Sequence, residues 1–123
     1  MQVVARKNTG IWAWLLQRIS AVLLLGLLTI HIAVLHFIRP DGDITFASVH
    51  VRLATVLYMV VDYSLLGVAL YHGLNGARNV LLDFTLGLRW EKAISLVLLL
   101  IGLVAFVFGA GALTPFITGT AMP

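Results

Sequence analysis

The sequence has no cysteine, only five acidic residues and three prolines among 123 residues, and charge on 11% of its positions. Each scarcity excludes something. Without thiols the chain cannot form a disulfide, hold an iron–sulfur cluster or build a thiolate metal site, so a metal bound here takes imidazole, carboxylate or a ligand from elsewhere. A water-soluble domain carries about 25% charged residues, and here 61% of the chain is hydrophobic with a mean hydropathy of +1.05. The chain is therefore read as a membrane protein. Eight Lys and Arg against five Asp and Glu give a formal +3, which in such a chain reports orientation rather than an affinity for nucleic acid.

What is present is apolar length. A helix needs about 20 apolar residues to cross the hydrocarbon, and the pattern predicts an all-α fold with three transmembrane helices, over residues 12–38, 53–74 and 93–113, in a single anchor domain. The breaks fall at Arg39-Pro40-Asp41-Gly42-Asp43 and at the charged stretch from Arg78 to Lys92. No barrel-type alternation is visible. Arg6 and Lys7 precede a long span instead of a short apolar core with a cleavage site, so the segment is expected to be retained. Six cations lie in the N-terminal arm, at Arg18 and in the second loop, against Arg39 and Arg52 in the first loop and none in the tail. This bias predicts a cytoplasmic N-terminus and an outer C-terminus. Trp12, Trp14 and Trp90 then fall at the cytoplasmic interface, and Thr114 to Pro123 form a short outer extension. Seven glycines in or near the spans (Gly26, Gly67, Gly73, Gly76, Gly102, Gly109 and Gly111) fit close helix approach. Three such helices covering polar residues imply partner subunits.

The informative residues are those that do not belong in lipid: Arg18, His31, His36, Asp62, His72 and Arg78. His31 follows Arg18 by 13 residues, about 20 Å deeper along the first helix, whereas His72 is placed near the cytoplasmic end of the second. The two histidines thus belong to different depths and not to one mononuclear site. A neutral imidazole with few carboxylates nearby suits haem iron better than a hard cation or a catalytic zinc; the alternative for His72 is a hydrogen bond to a neighbouring helix. Gly76 at i+4, with Gly73 and Ala69, keeps bulk low around His72 for a flat macrocycle, and Arg18 and Arg78 supply cations for its propionates. His36 and the loop residue His50 are read as ordinary. Asp62 is either a proton-relay carboxylate or a hydrogen-bond partner inside the bundle; with no second carboxylate in any span, the structural role is favoured.

The stretch from His72 through Gly76, Arg78 and Asp83 to Phe84 resembles the His-x-x-x-Gly-x-Arg-x-x-x-x-Asp-(Tyr/Phe) signature of the cytochrome b membrane anchors of succinate dehydrogenase, respiratory complex II. Arg18-Ile19-Ser20-Ala21 resembles the start of the first helix of the smaller anchor, while the larger anchor's Ser-x-x-His-Arg pattern is missing because Gln17 precedes Arg18. The resemblance covers nearly the whole chain. It implies that His72 is an axial ligand of haem b, with the other ligand from a sister anchor, and that His31 is the ligand where a second haem is present. It places Asp83 near a quinone site, ubiquinone or menaquinone, although Phe84 lacks the hydroxyl of the family's tyrosine. It further implies a heterotetramer with a flavoprotein, an iron–sulfur subunit and the sister anchor, with trimerisation open. That assembly passes electrons from succinate to quinone in the tricarboxylic acid cycle and respiratory chain; the charge distribution of this sequence then points to Trp12, Arg18 and the loop from Arg78 to Lys92 as the residues that dock the iron–sulfur subunit. Asp83 beside Arg78 either helps deliver protons or forms an ion pair there. No transit peptide is recognisable, so a prokaryotic plasma membrane is expected. The competing reading is a transport or channel component, or a haem-free scaffold, with Asp62 and the histidines lining a polar pathway.

Overall fold

A computed structural model describes residues 9–37, 45–53, 55–84 and 88–118; within its helices the side chains of a few residues, His36, His50 and Arg52 among them, lie outside the description. The turn cluster Arg39 to Asp43, the arm with Arg6 and Lys7, and the last five residues also lie outside it. The described chain is all-helical: α1 Thr9–His36, α2 Phe46–Leu53, α3 Val56–Leu82 and α4 Leu88–Thr118. Three of these, α1, α3 and α4, are long and apolar enough to cross a membrane.

The long helices have 28, 27 and 31 residues. At ~1.5 Å per residue that is about 40–46 Å, more than the hydrocarbon thickness. The extra turns correct the expected loops. Ending the second span at residue 74 and starting the third at 93 treats charge as a helix stop, but α3 runs on to Leu82 and α4 begins at Leu88. Arg78, Arg89, Glu91 and Lys92 are therefore helical, as long charged side chains at span ends can be when their heads reach the interface. His72 accordingly sits ten residues, about 15 Å, inside the end of α3. The first loop also holds an unexpected element. Thr45 Oγ1 accepts from the Ser48 amide at 3.2 Å and Ser48 Oγ accepts from the Thr45 amide at 3.1 Å, a reciprocal cap that starts α2.

The helices form a row. α3 packs antiparallel against α1 on one side and against α4 on the other, α2 touches α3 and α4, and α1 and α4 do not meet. A row encloses no core: among the described residues only Ser20, Tyr58 and Val61 are buried, and the outer faces of α1 and α4 present Leu, Ile, Val and Phe. In lipid such faces carry no penalty, and helix association rests on close packing and interhelical hydrogen bonds. Two glycines on α4 make the close approach possible. A Cβ at Gly102 would lie 2.6 Å from Leu74 Cδ1, and one at Gly109 would lie 2.8 and 2.9 Å from the Leu66 methyls. Gly67 is in ordinary contact range of Phe106, and Gly26, Gly73 and Gly111 face open space. The glycine expectation thus applies to part of the set.

Candidate functional site

The α1–α3 seam is polar at two levels. Moving forward along α1 and back along α3, Gln17 meets Asn75, Ser20 meets His72 and His31 meets Asp62. The α1 residues share a face, since positions 17, 20 and 31 fall within about 60° around a helix of 3.6 residues per turn. Asp62 and His72 are ten residues, about 15 Å, apart along α3. His31 and His72 are therefore separate sites, as their spacing predicts.

At the first level the His72 ring is held from α1. Ser20, 5% exposed, has its Oγ 2.9 Å from the Gln17 carbonyl and 2.9 Å from His72 Nδ1. A hydroxyl has one hydrogen and a carbonyl only accepts, so Ser20 donates to Gln17 and the second contact must take its hydrogen from Nδ1. The arrangement selects the Nδ1–H tautomer and leaves the lone pair on Nε2. The Gln17 amide closes the frame: Nε2 donates to the His72 carbonyl at 3.1 Å, and Oε1 accepts from Asn75 Nδ2 at 2.6 Å. That amide nitrogen also stands 3.3 and 3.5 Å from the two ring nitrogens, farther than the serine. Gly76 admits it, because a Cβ there would lie 3.3 Å from Gln17 Nε2, while Gly73, one residue after His72, has nothing within 4 Å.

At the second level His31 Nδ1 lies 2.8 Å from Asp62 Oδ1, with side-chain exposures of 28% and 10%. A carboxylate accepts, so Nδ1 donates and Nε2 is the ring nitrogen outside that bond. Asp62 thus finds its partner inside this chain. Near the same end, Tyr63 Oη donates to the Ala110 carbonyl at 3.4 Å.

The cations are not brought together. Arg18 is exposed and stacks on Trp14, its guanidinium carbon 4.4 Å from the ring centroid. Arg78 turns the other way: its Nε donates to Ser95 Oγ at 2.8 Å, and Ser95 in turn donates to the Glu91 carbonyl at 2.7 Å. A shallow groove of about 370 Å³ lies there, lined by Arg78, Glu91, Lys92, Ser95, Leu96 and Leu99. Asp83 closes α3 through its backbone N–H, bonded to the Asn79 and Val80 carbonyls, and its side chain is exposed and not paired with Arg78. Phe84 is 71% exposed beside it. Trp12, Trp14 and Trp90 all lie at this end, where α1 and α4 begin and α3 finishes.

Sequence reasoning missed Gln17, Asn75 and Ser95 as members of these networks. The signal was available in part, since Gln17 and Ser20 stand at i and i+3, as do His72 and Asn75. The donor set suits porphyrin iron. Among the described residues no three His, Asp or Glu side chains converge, so each level of the seam offers one imidazole, and one axial position of a haem takes one imidazole.

Residues 2–111 match the family described as succinate dehydrogenase/fumarate reductase transmembrane subunit. The succinate dehydrogenase hydrophobic membrane anchor subunit of Archaeoglobus fulgidus is 35% identical over 97 residues, covering 79% of this chain and 82% of that protein. The succinate dehydrogenase 2 membrane subunit SdhC of Mycobacterium tuberculosis is 31% identical over 71% of this chain and 64% of its own length. The hydrophobic membrane anchor subunit of Halobacterium salinarum is 26% identical over 91% and 84%. With a match over most of its length and a polar seam built around His72, the chain belongs to the succinate dehydrogenase/fumarate reductase transmembrane subunit family.

Proposed function

We propose that this chain is one of two membrane anchors of a succinate:quinone oxidoreductase and that His72 would hold a b-type haem through Nε2, together with a residue of the sister anchor. The observation that carries the reading is the frame around His72: Ser20 takes the Nδ1 hydrogen and leaves Nε2 as the ligating nitrogen. Gly76 lets α1 come close, since a Cβ there would lie 3.3 Å from Gln17 Nε2. When bound, the haem supplies a one-electron store next to the path from an iron–sulfur partner to quinone. The protein would contribute ligation and two separate cations at the same end, Arg78 on the Ser95 side and Arg18 over Trp14, for a propionate or the quinone site. His31 offers the same nitrogen to a second haem at the other level of the seam, with Asp62 fixing its tautomer.

The end that gathers Trp12, Trp14, Trp90, Arg18, Arg78 and Lys92 faces the cytoplasm and docks the iron–sulfur subunit, which carries the flavoprotein. Asp83 lies near the quinone on that side, in a prokaryotic plasma membrane. The smaller anchor is the reading favoured by Arg18-Ile19-Ser20-Ala21 and by Gln17 in place of the larger anchor's histidine. The transport or channel alternative loses its main support, because Asp62 is engaged by His31 instead of lining an open path.

Affinity purification through this chain tests the assignment. Flavin and a haem b band in the reduced-minus-oxidised spectrum should co-purify; an assembly with neither would refute it.

A further inference from the structure

Ser20 is the most buried polar residue described, and its hydroxyl bridges the Gln17 carbonyl and the His72 imidazole. We infer that Ser20 is a positioning residue for His72: its hydroxyl fixes the Nδ1–H tautomer and sets how strongly Nε2 donates to a bound metal. The inference rests on the haem assignment to His72 and goes beyond it by naming the residue that tunes the ligand.

Ser20 sits one helical turn beyond Gln17 on α1, and its hydrogen is committed to the carbonyl of that turn, 2.9 Å away. A serine bonded back to its own helix is oriented by the backbone, not by the ring it meets. Its remaining lone pair therefore points at a fixed place, and His72 Nδ1 is there at 2.9 Å. An imidazole that donates its Nδ1 hydrogen becomes more basic at Nε2 and a better donor to a metal. A better donor favours the oxidised metal. Removing the acceptor should weaken donation and raise the reduction potential of iron bound at Nε2. Gln17 cannot substitute, because its group near the ring is an amide nitrogen, which only donates.

A purely structural role makes a different forecast. Asn75 joins the same seam through Gln17 Oε1 but does not bond the ring. Asn75→Ala should lower thermal stability and leave the potential alone, whereas Ser20→Ala should move the potential.

Redox titration of the haem b band in the purified complex decides between them. Ser20→Ala is expected to shift the reduction equilibrium about tenfold toward the reduced form, taking the effect on the ligand to be as large as the smallest change in metal affinity such outer partners produce; for one electron that is about 59 mV upward. Ser20→Thr keeps a hydroxyl that can bond back to the helix and should restore the wild-type value. Ser20→Cys, a weaker acceptor of similar size, should fall between, and it carries the test if the alanine variant does not assemble. A Ser20 variant lacking the hydroxyl but holding the wild-type potential would overturn the inference while leaving His72 as ligand. Retention of the haem band in a His72→Ala complex would instead overturn the ligand assignment beneath it.

Discussion

Separating His31 from Asp62 should show how much of the anchor's cohesion comes from one bond. The contact is 2.8 Å long, Asp62 is 10% exposed, and both residues lie on helices long and apolar enough to cross a membrane, where little water competes for a polar group. Hydrogen bonds between membrane helices average about 0.6 kcal/mol and reach about 1.7. A short bond to a carboxylate belongs at the upper end, so a coupling energy of about 1.5 kcal/mol is expected, roughly tenfold in an equilibrium. The single variants are not equivalent. His31→Phe leaves a carboxylate without its donor inside the bundle, while Asp62→Leu leaves only an imidazole N–H without an acceptor, at about 1–3 kcal/mol. His31→Phe should therefore be the more damaging, and adding Asp62→Leu to it should recover stability, because a well-packed apolar pair often replaces a buried polar one without loss. Circular dichroism during SDS titration of the purified membrane assembly measures the four variants of the cycle. Effects that add to within about 0.3 kcal/mol, the behaviour of independent sites, would refute the bond as an interaction that matters.

The α3–α4 seam should rank its glycines by the space behind them: Gly109→Ala meets both methyls of Leu66 and should cost about 1–3 kcal/mol. Gly102→Ala presses on one methyl of Leu74 and should cost less, and Gly67→Ala, with Phe106 at 3.7 Å, should be neutral in the same unfolding assay. The two arginines should also separate. Arg78, fixed by Ser95, should influence haem potential and quinone reduction when changed to Gln, whereas exposed Arg18 on Trp14 should matter less; equal effects would contradict the division.

The three spans were legible because they rest on a local property, apolar length, and His72 stood out as a polar residue where lipid penalises one. The helix ends were not. Arg78 and Lys92 read as loop residues by charge, yet a long side chain at a span end reaches the interface without ending the helix. The start of α2 was written in Thr45 and Ser48, but a helix of eight residues carries too short an apolar pattern to stand out. Gln17 read only as a departure from a familial pattern. Its role as the amide that ties the backbone of His72 to Asn75 depends on which face of α1 meets α3, and an α1 that is apolar almost all round does not announce that face. The pairing of His31 with Asp62 was hidden for the same reason, although both had been singled out separately.

Chemical rescue at His72 tests the central claim most directly. In a purified complex carrying His72→Gly, the account predicts assembly with flavin and iron–sulfur partners, loss of the haem b band that His72 ligates, and its return when free imidazole is added to occupy the vacated position. A His72→Gly complex that keeps its full haem-to-flavin ratio, with an unchanged spectrum and no response to imidazole, would contradict it.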